Sequence, residues 1–245
     1  MGKSLLCWCM ALCLILASVP FAAASSASKE KKGDDYQKVK LSCTDVPESG
    51  DFHDAVARIV QKSLSEWANG SKFKPDANFT RNDFYIILYR NFREEFPNTP
   101  EHYNAKQFPF KKSGIDPESE LGQALIFCYK QGLFQPGKAY GDGEKMIERA
   151  EVISCLYQMY KKLYRQKNNV NFEMEYEVKG FSDVKKTHDF AQAAMWSLNN
   201  KLDEGFSTSN KEGSREFRPT GKKGRCTRKQ LALLLLRISR LSLDP

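Results

Sequence analysis

Histidine is scarce in this 245-residue chain, and the cysteines are not spaced as metal ligands. The three histidines, His53, His102 and His188, lie far apart, and no Cys-x-x-Cys pair occurs. Structural zinc sites use closely spaced ligands, so we expect no metal site. The sequence also lacks an HExxH motif, a nucleophile elbow and a phosphate loop, since the glycine-rich segment 137–143 has the wrong spacing. We therefore expect no cofactor and no enzymatic activity, although paired glycosidase carboxylates meet only in space and leave no motif.

A second absence is a long apolar run after the first twenty residues. A membrane-spanning helix needs about 20 apolar residues, and the apolar segment 231–236 is far too short. At the start of the chain, Lys3 precedes an apolar stretch over residues 5–19 and then the small residues of "PFAAASS". This order is typical of a signal peptide, which we place at residues 1–24, with a flexible polar linker at 25–40. An uncleaved membrane anchor is the alternative. Cleavage predicts a secreted protein with no transmembrane segment.

Four cysteines lie beyond the predicted signal peptide: Cys43, Cys128, Cys155 and Cys226. An even number in an exported chain permits two disulfides, with three ways of pairing them. Each cysteine also occupies a position where an apolar residue would fit, so buried free thiols are the alternative. A chain of this length buries enough core to fold without disulfides.

The chain carries a formal charge of +8, and the excess of positive charge is local. Six basic residues and no acid occur between residues 218 and 229: Arg218, Lys222, Lys223, Arg225, Arg228 and Lys229. Outside a cell, such a cluster favours an anionic wall polymer, a glycan or a lipid headgroup over nucleic acid. The alternative is a solvated loop that serves only solubility.

Three segments share one helix-start pattern: "FTRNDFYIILYRNF" from Phe79, "IERAEVISCLYQMY" from Ile147 and "CTRKQLALLLLRIS" from Cys226. A capping residue is followed by an arginine and, three places after the cap, by an acid or glutamine, which is typical of a capping box. The three sets are Thr80, Arg81 and Asp83; Glu148, Arg149 and Glu151; and Thr227, Arg228 and Gln230. Apolar residues then recur on one helix face. A cation in the first helical turn opposes the helix dipole, so each arginine needs a separate explanation.

A matching half lies upstream of each capped helix. It consists of a short opening, a loop and a helix with an alanine near its start, at position 55, 124 or 193. Two of the following connections carry an aromatic–basic–proline step, at 73–75 and 217–219, and we expect Phe73 and Phe217 to pin these loops to the helices. Trp196, on a predicted helix, is expected to lie in the core. The predicted fold is mainly α, with three helix–loop–helix repeats at residues 41–97, 108–165 and 179–241.

This repeated pattern resembles the S-layer homology family over about residues 41–241. "CTDV" and "FSDV" match the FxDV opening of that family, and "TRND", "ERAE" and "TRKQ" match its TRAE helix start. The second repeat departs from the pattern, since Lys112 stands where the opening aspartate belongs. The resemblance implies three repeats with pseudo-threefold symmetry in one compact unit, with grooves that hold an anionic cell-wall polysaccharide. It implies a secreted, noncatalytic, cell-surface module associated with the cell wall. The alternative is a protein–protein interaction module that binds another surface protein on the same scaffold.

The resemblance also implies which residues line the grooves. An arginine beside a helix N-terminus offers a planar fork and free N–H groups to a carboxylate or phosphate. The opening aspartates would accept hydrogen bonds from sugar hydroxyls or orient the arginine, glycines would let the ligand approach the backbone, and a tryptophan would offer a platform. The residues are Arg81, Arg149 and Arg228; Asp45 and Asp183; Gly70, Gly137 and Gly205; and Trp67. An inter-repeat salt bridge is the alternative role for the arginines. Since the second repeat lacks the aspartate, we expect Arg228→Ala to weaken wall binding more than Arg149→Ala.

The same resemblance implies a disulfide arrangement. If the third repeat closes beside the first, Cys43 and Cys226 meet and join the two ends of the unit. Cys128 and Cys155 lie on the two predicted helices of one repeat and would pair with each other.

Overall fold

The computed structural model describes residues 36–96, 98–110, 113–134, 142–204, 207–209 and 214–244, and within them the chain is mainly helical. These residues belong to a single unit, Asp35–Pro245. The predicted signal peptide, Gly137 and Gly205 lie outside the described residues, so the predictions made for them stay predictions.

Six α-helices run through the described residues: α1 Asp51–Gln61, α2 Arg81–Phe92, α3 Glu120–Lys130, α4 Arg149–Asn168, α5 Ala191–Asn199 and α6 Arg228–Arg240. The three predicted helix starts are confirmed as the first residues of α2, α4 and α6. Thr80 and Thr227 each form a complete capping box. Glu148 makes no side-chain cap. Its carboxylate instead accepts a hydrogen bond from the N–H of Gly221, at 2.9 Å.

The apolar face predicted for each capped helix is buried. Its members are Phe84, Ile87 and Leu88 on α2; Val152, Cys155 and Leu156 on α4; and Leu231, Leu234 and Leu235 on α6. They join one continuous core, which also contains Phe73, Trp196 and Phe217, each fully buried. The prediction that Trp196 lies in the core is therefore confirmed, and the buried rings of Phe73 and Phe217 agree with their predicted role of pinning the two loops.

The helices pack side by side in three pairs: α2 with α3, α4 with α5, and α6 with α1. Each pair joins the second helix of one predicted repeat to the first helix of another. Packing therefore crosses the predicted repeat boundaries, because an amphipathic helix buries its apolar face against whichever element covers it.

The chain segments just before α2, α4 and α6 also meet one another. Three isolated bridges pair Asn78 with Thr227, Thr80 with Met146, and Glu148 with Arg225. The N–H of Ile147 donates to the carbonyl of Phe79 at 3.1 Å, and the N–H of Cys226 donates to the carbonyl of Ile147 at 3.2 Å. The side-chain amide of Asn78 donates to the carbonyl of Cys226 at 3.1 Å. These contacts hold the three helix starts together at the centre of the unit.

The connection between α5 and α6 contains a short hairpin. Strand β1, Thr208–Ser209, pairs antiparallel with β2, Arg215–Glu216. Short 3₁₀ helices lie at Tyr36–Lys38, Glu66–Ala68, Arg93–Glu95, Ala105–Gln107 and Lys222–Gly224. Among the described residues, no helix combines the length and the apolar character needed to span a bilayer.

Candidate functional site

Arg228, the first residue of α6, contacts the turn at residues 73–75. Its Nη1 donates to the carbonyl of Phe73 at 3.0 Å, and its guanidinium lies over the indole ring of Trp67, 4.8 Å from the centroid. Its Nε is buried and has no hydrogen-bond partner among the described residues. Burial lowers the pKa of Arg228 below its ordinary value, and the charge of Asp83 partly offsets this. The residue as a whole is half-buried.

Arg149, the first residue of α4, makes the corresponding contact with the turn at residues 217–219. Its Nη1 donates to the carbonyl of Phe217, and to that of Arg218 at 3.1 Å. The residue is only 4% exposed, and burial lowers the pKa of its guanidinium. This corrects the prediction that Arg149 lies open to a ligand, because its fork serves internal carbonyl groups.

Arg81, the first residue of α2, forms an ion pair with α4. Its Nε lies 2.9 and 2.8 Å from the two carboxylate oxygens of Glu151, and the hydroxyl of Tyr85 donates to the same carboxylate at 3.0 Å. Burial alone lowers the pKa of Arg81, but the hydrogen bond and charge of Glu151 raise it above its ordinary value. The predicted groove role of Arg81 is therefore also corrected. The salt bridge given as the alternative role of the arginines does form here, between Arg81 on α2 and Glu151 on α4.

The N–H groups at these helix starts are also occupied. The N–H groups of Arg228 and Lys229 donate to the carbonyls of Ala77 and Pro75, at 2.9 and 3.0 Å. The N–H groups of Arg81, Asn82 and Ala150 likewise donate to the carbonyls of Lys145, Gly143 and Pro219. The capping boxes serve the third residues of α2 and α6. The expectation that these helix N-termini offer free donors to an anion is therefore wrong, since neighbouring loops satisfy them.

Two aspartates bind the backbone N–H groups of the same two turns. Asp45 accepts hydrogen bonds from the N–H groups of Phe73 and Lys74, at 2.7 and 2.8 Å. Asp183 accepts from the N–H groups of Phe217 and Arg218, at 2.8 and 2.6 Å. We call each arrangement an Asp–turn–Arg clamp: the aspartate binds the N–H of the aromatic residue, and Arg228 or Arg149 binds its carbonyl.

Backbone conformation explains why these turns need clamping. Lys74 and Arg218, the basic residues in the two turns, have φ angles of 58° and 51°. Side-chain-bearing residues seldom adopt this left-handed conformation, which costs about 1 kcal/mol or more. The two aspartates therefore position backbone, a role that the sequence did not predict. The aromatic–basic–proline step was the signal that marked both turns.

The Asp45 clamp predicts a pH-dependent stability. Partial burial raises the pKa of Asp45, but the hydrogen bonds from Phe73 and Lys74 outweigh it and hold this pKa below its ordinary value. A lowered pKa in the folded state adds stability above the unfolded-state pKa, and that stability is lost as the pH falls through the folded-state value. We expect Asp45→Asn to lower the free energy of unfolding by about 1 kcal/mol at pH 7, allowing for partial exposure. The difference should shrink as the pH falls below the ordinary aspartate pKa of about 3.9.

Urea unfolding at a series of pH values measures this effect. Asp76→Asn is the matched control, because Asp76 is an exposed carboxylate on the same connection. An Asp45→Asn difference that did not change between pH 7 and pH 3 would contradict the carboxylate's role in the clamp.

Trp67 and Gly70 lie near the first clamp. The indole of Trp67 contacts Phe79 and Phe73, with centroids 5.2 and 6.3 Å apart, and Arg228 covers one ring face. Trp67 is therefore part of the packing around Arg228, and its use as a sugar platform stays a prediction for the remaining surface. A Cβ at Gly70 would meet no atom within 4 Å. The space beside this backbone is therefore open, and the predicted approach of a ligand to it stays a prediction.

The second clamp borders a surface cleft of about 510 Å³. The cleft is lined by Asp183, Ser209, Glu216, Arg218, Pro219, Thr220 and Lys223. Glu216 neutralises part of the charge of Arg218, with 2.9 Å between Oε2 and Nε. Lys222, Lys223 and Arg225 are exposed and make no ion pair among the described residues. The structure therefore brings Asp183 and part of the basic cluster to one open cleft.

The four cysteines are buried free thiols, which corrects the proposed disulfides. Cys43 donates to the carbonyls of Ala68 and Gly70, at 3.5 and 3.3 Å. Cys226 lies among the central helix starts, and burial raises the pKa of its thiol to about 12. Burial also raises the pKa values of Cys128 and Cys155, which lie on α3 and α4. Thiols held in the protonated form by burial react slowly.

Among the described residues, no group of three histidine, cysteine, aspartate or glutamate side chains is placed to hold a metal ion. The candidate site is a solvent-open cleft beside the second clamp, lined by the cations Arg218 and Lys223 and by the carboxylates Asp183 and Glu216. In comparisons with known proteins, no protein-family model matches the chain, and no curated protein is significantly similar to it.

Proposed function

We propose that the protein is a secreted, noncatalytic cell-surface module that binds an anionic cell-wall polysaccharide or a related acidic polymer. The binding surface is the cleft beside Arg218 and Lys223. The observation that carries this proposal is Lys223, an exposed cation that lines the cleft and makes no ion pair among the described residues. Lys222 and Arg225, its neighbours along the chain, are exposed cations that likewise make no ion pair within the described part of the chain. A polymer with regularly spaced negative charges meets several such cations at once and gains from each of them.

The arrangement that goes with this function is three S-layer-homology-like repeats around a pseudo-threefold axis. Cyclic helix pairing, in which the last helix, α6, packs against the first, α1, supports it. The bridges among the segments before α2, α4 and α6 support it as well. The Asp–turn–Arg clamp occurs both at residues 73–75, the first turn, and at residues 217–219, the third turn. This repetition also supports the arrangement.

The proposal gives the three arginines a new division of roles. Arg81 and Arg149 stabilise the joints between neighbouring segments, through Glu151 and through the carbonyls of the third turn. Arg228 keeps a share in ligand binding, because part of its side chain is exposed. The rigid turns then hold the exposed cations at fixed positions, which lowers the entropy lost on binding.

Cosedimentation with purified wall sacculi tests the function. We expect the purified protein, without residues 1–24, to sediment with native sacculi. With sacculi that have been stripped of acidic polymer by acid treatment, the protein should remain in solution. The triple variant Lys222→Gln/Lys223→Gln/Arg225→Gln should bind about tenfold more weakly, at about 0.5 kcal/mol for each exposed charge. Binding should weaken as salt rises, because exposed charges are screened beyond about 10 Å at 0.1 M.

An equal loss of charge elsewhere is the control. Lys62, Lys106 and Lys185 are exposed lysines on other segments, and Lys62→Gln/Lys106→Gln/Lys185→Gln removes the same net charge. If both triple variants lose affinity equally, binding depends on net charge and not on the cleft. If sacculi stripped of acidic polymer bind as well as native sacculi, the polymer is not the ligand, and a protein-interaction role replaces it.

A further inference from the structure

Residues Asn171–Lys179 cross the surface of α4 and α5 without a turn, a bend or a helix. Their sequence, "NFEMEYEVK", alternates apolar residues with glutamates. Phe172, Tyr176 and Val178 are partly buried against the core, whereas Glu173, Glu175 and Glu177 are exposed. This period of two is the pattern of a strand with one covered face.

One edge of this segment already has a partner. The side-chain amide of Gln192, on α5, accepts from the N–H of Tyr176 at 2.8 Å and donates to its carbonyl at 3.0 Å. Both backbone groups of one residue are thus paired by a single amide, as they would be by a neighbouring strand. The N–H of Lys179 also contacts the sulfur of Met195, on α5, at 3.4 Å, so the alternation of the two edges ends before Lys179.

The opposite edge is open. In an extended chain, the N–H and C=O groups of successive residues point to opposite sides. Since those of Tyr176 point towards α5, those of Glu175 and Glu177 point away from it. Within the described part of the chain, the backbone groups of these two residues have no hydrogen-bond partner, and the segment pairs with no strand. Such an edge is a template for another strand.

Two exposed apolar side chains lie at this segment, Met174 within it and Val170 just before it. Val170 and Met174 are 53% and 56% exposed, and they are the exposed large hydrophobic residues of the described chain. Clefts of about 370 and 400 Å³ flank the segment: Met174 and Tyr157 help to line the first, and Val178 and Val184 the second. The second cleft has no α5 residue in its lining, so an added strand would place alternate side chains beside it, which is how strand addition gains specificity.

The charge of the segment indicates the chemistry of its partner. Glu173 and Glu175 make no ion pair among the described residues, whereas Glu177 pairs with Lys179 at 2.7 Å. The flanking clefts contain the cations Lys161 and Lys186. The negative charge without an ion-pair partner therefore lies on the segment, at Glu173 and Glu175. Opposite charges on directly paired strand residues are favourable. The partner strand should therefore carry basic residues at alternate positions, with apolar residues between them.

We propose that Asn171–Lys179 is a docking edge to which an extended basic segment of another protein adds as a β-strand. This surface shares no residue with the cleft beside Arg218 and Lys223, and the proposal does not depend on polymer binding. A positively charged chain that displays one acidic edge can hold a polymer and a protein at the same time.

Synthetic peptides test the docking edge on the purified chain. The probe is a fluorescein-labelled eight-residue peptide in which lysine and valine alternate, and its binding is measured by fluorescence anisotropy. The comparison peptide has the same composition, but its lysines form one block. We expect the alternating peptide to bind at least tenfold more tightly than the block peptide. Equal affinities would show charge attraction alone and would overturn the proposal, as would no binding.

Backbone methylation then separates strand pairing from side-chain contacts. Methylating the amide nitrogens of either the lysines or the valines removes the N–H donors from one edge of the peptide only. We expect one methylated peptide to lose at least tenfold in affinity and the other to keep most of it. If both bind like the parent peptide, the backbone does not pair and strand addition is excluded.

Protein variants locate the contact. Glu173→Gln/Glu175→Gln should weaken the alternating peptide about fivefold, whereas Glu48→Gln/Glu101→Gln, at two other exposed glutamates, should leave it unchanged. Equal losses would place the contact elsewhere. Analytical ultracentrifugation without peptide tests whether a second copy of the chain occupies the edge. If the chain dimerises and Glu173→Gln/Glu175→Gln abolishes the dimer, the partner is a second copy and the proposal of another protein is overturned.

Discussion

Replacing Arg149 with alanine is expected to lower the free energy of unfolding by about 3 kcal/mol, a large effect for one substitution. The side chain is 4% exposed, and its Nη1 donates to the carbonyls of Phe217 and Arg218. Alanine removes that donor from both carbonyls and opens a cavity between α4 and the third turn. Urea unfolding monitored by circular dichroism measures the change.

Two further variants show which property of Arg149 matters. Arg149→Met keeps most of the buried volume but removes the donor, so we expect a loss of about 1–2 kcal/mol. Arg225→Ala removes an exposed cation from the same connection and should change stability by less than about 0.5 kcal/mol. A loss below about 1 kcal/mol for Arg149→Ala would mean that the third turn holds without this guanidinium, and the clamp would be disproved there.

The second large effect is expected at Trp196. Its indole is fully buried, and its ring lies 5.3 Å from those of both Tyr157 and Tyr160. Trp196→Ala should destabilise the protein by about 4 kcal/mol, because the surrounding α4 and α5 cannot close the cavity. The same urea titration measures this loss.

Trp196→Phe is the graded control for this position. The indole Nε1 has no hydrogen-bond partner among the described residues, so phenylalanine loses volume but no hydrogen bond. We expect a loss of about 1–2 kcal/mol. Trp67→Ala, at a half-buried tryptophan, should cost less than Trp196→Ala. The reverse order would contradict the central position of Trp196 in the core.

Local rules in the sequence were enough to predict where the capped helices begin. The cap at Thr80 or Thr227, its partner three residues later and the apolar residues of the next two turns all lie within one short segment. At Glu148 the same pattern predicted a cap that does not form, because Gly221 offers its N–H to that carboxylate. Gly221 lies 73 residues away, and no local pattern reports it.

The role of the arginines shows the limit of pattern reading. The sequence correctly singled out a cation in the first turn of three helices, where the dipole disfavours it. We expected an external anion to offset this cost. Carbonyl groups of the two turns, and Glu151, offset it from within the protein. An arginine in the first turn is compatible with either an external anion or internal acceptor groups, because both supply negative charge to the guanidinium.

The sequence left the oxidation state of the cysteines undecided for a similar reason. Their number permitted disulfides, and their apolar positions permitted buried thiols. Cys43 turned towards the carbonyls of Ala68 and Gly70, whereas Cys226 lies at the central helix starts. A disulfide requires two Cα atoms within about 7 Å, a condition that spacing along the chain does not report.

By itself the sequence determined the mainly helical class, the starts of α2, α4 and α6, the buried face of each, and the basic cluster, because these depend on residues within about two helical turns. Only the tertiary structure decided what each arginine binds, that the cysteines are thiols, and which cations border an open cleft. Arg149 meets carbonyls 68 and 69 residues along the chain, and Arg228 meets one 155 residues away. Contacts of that range depend on how the helices pack, and packing is a property of the whole core.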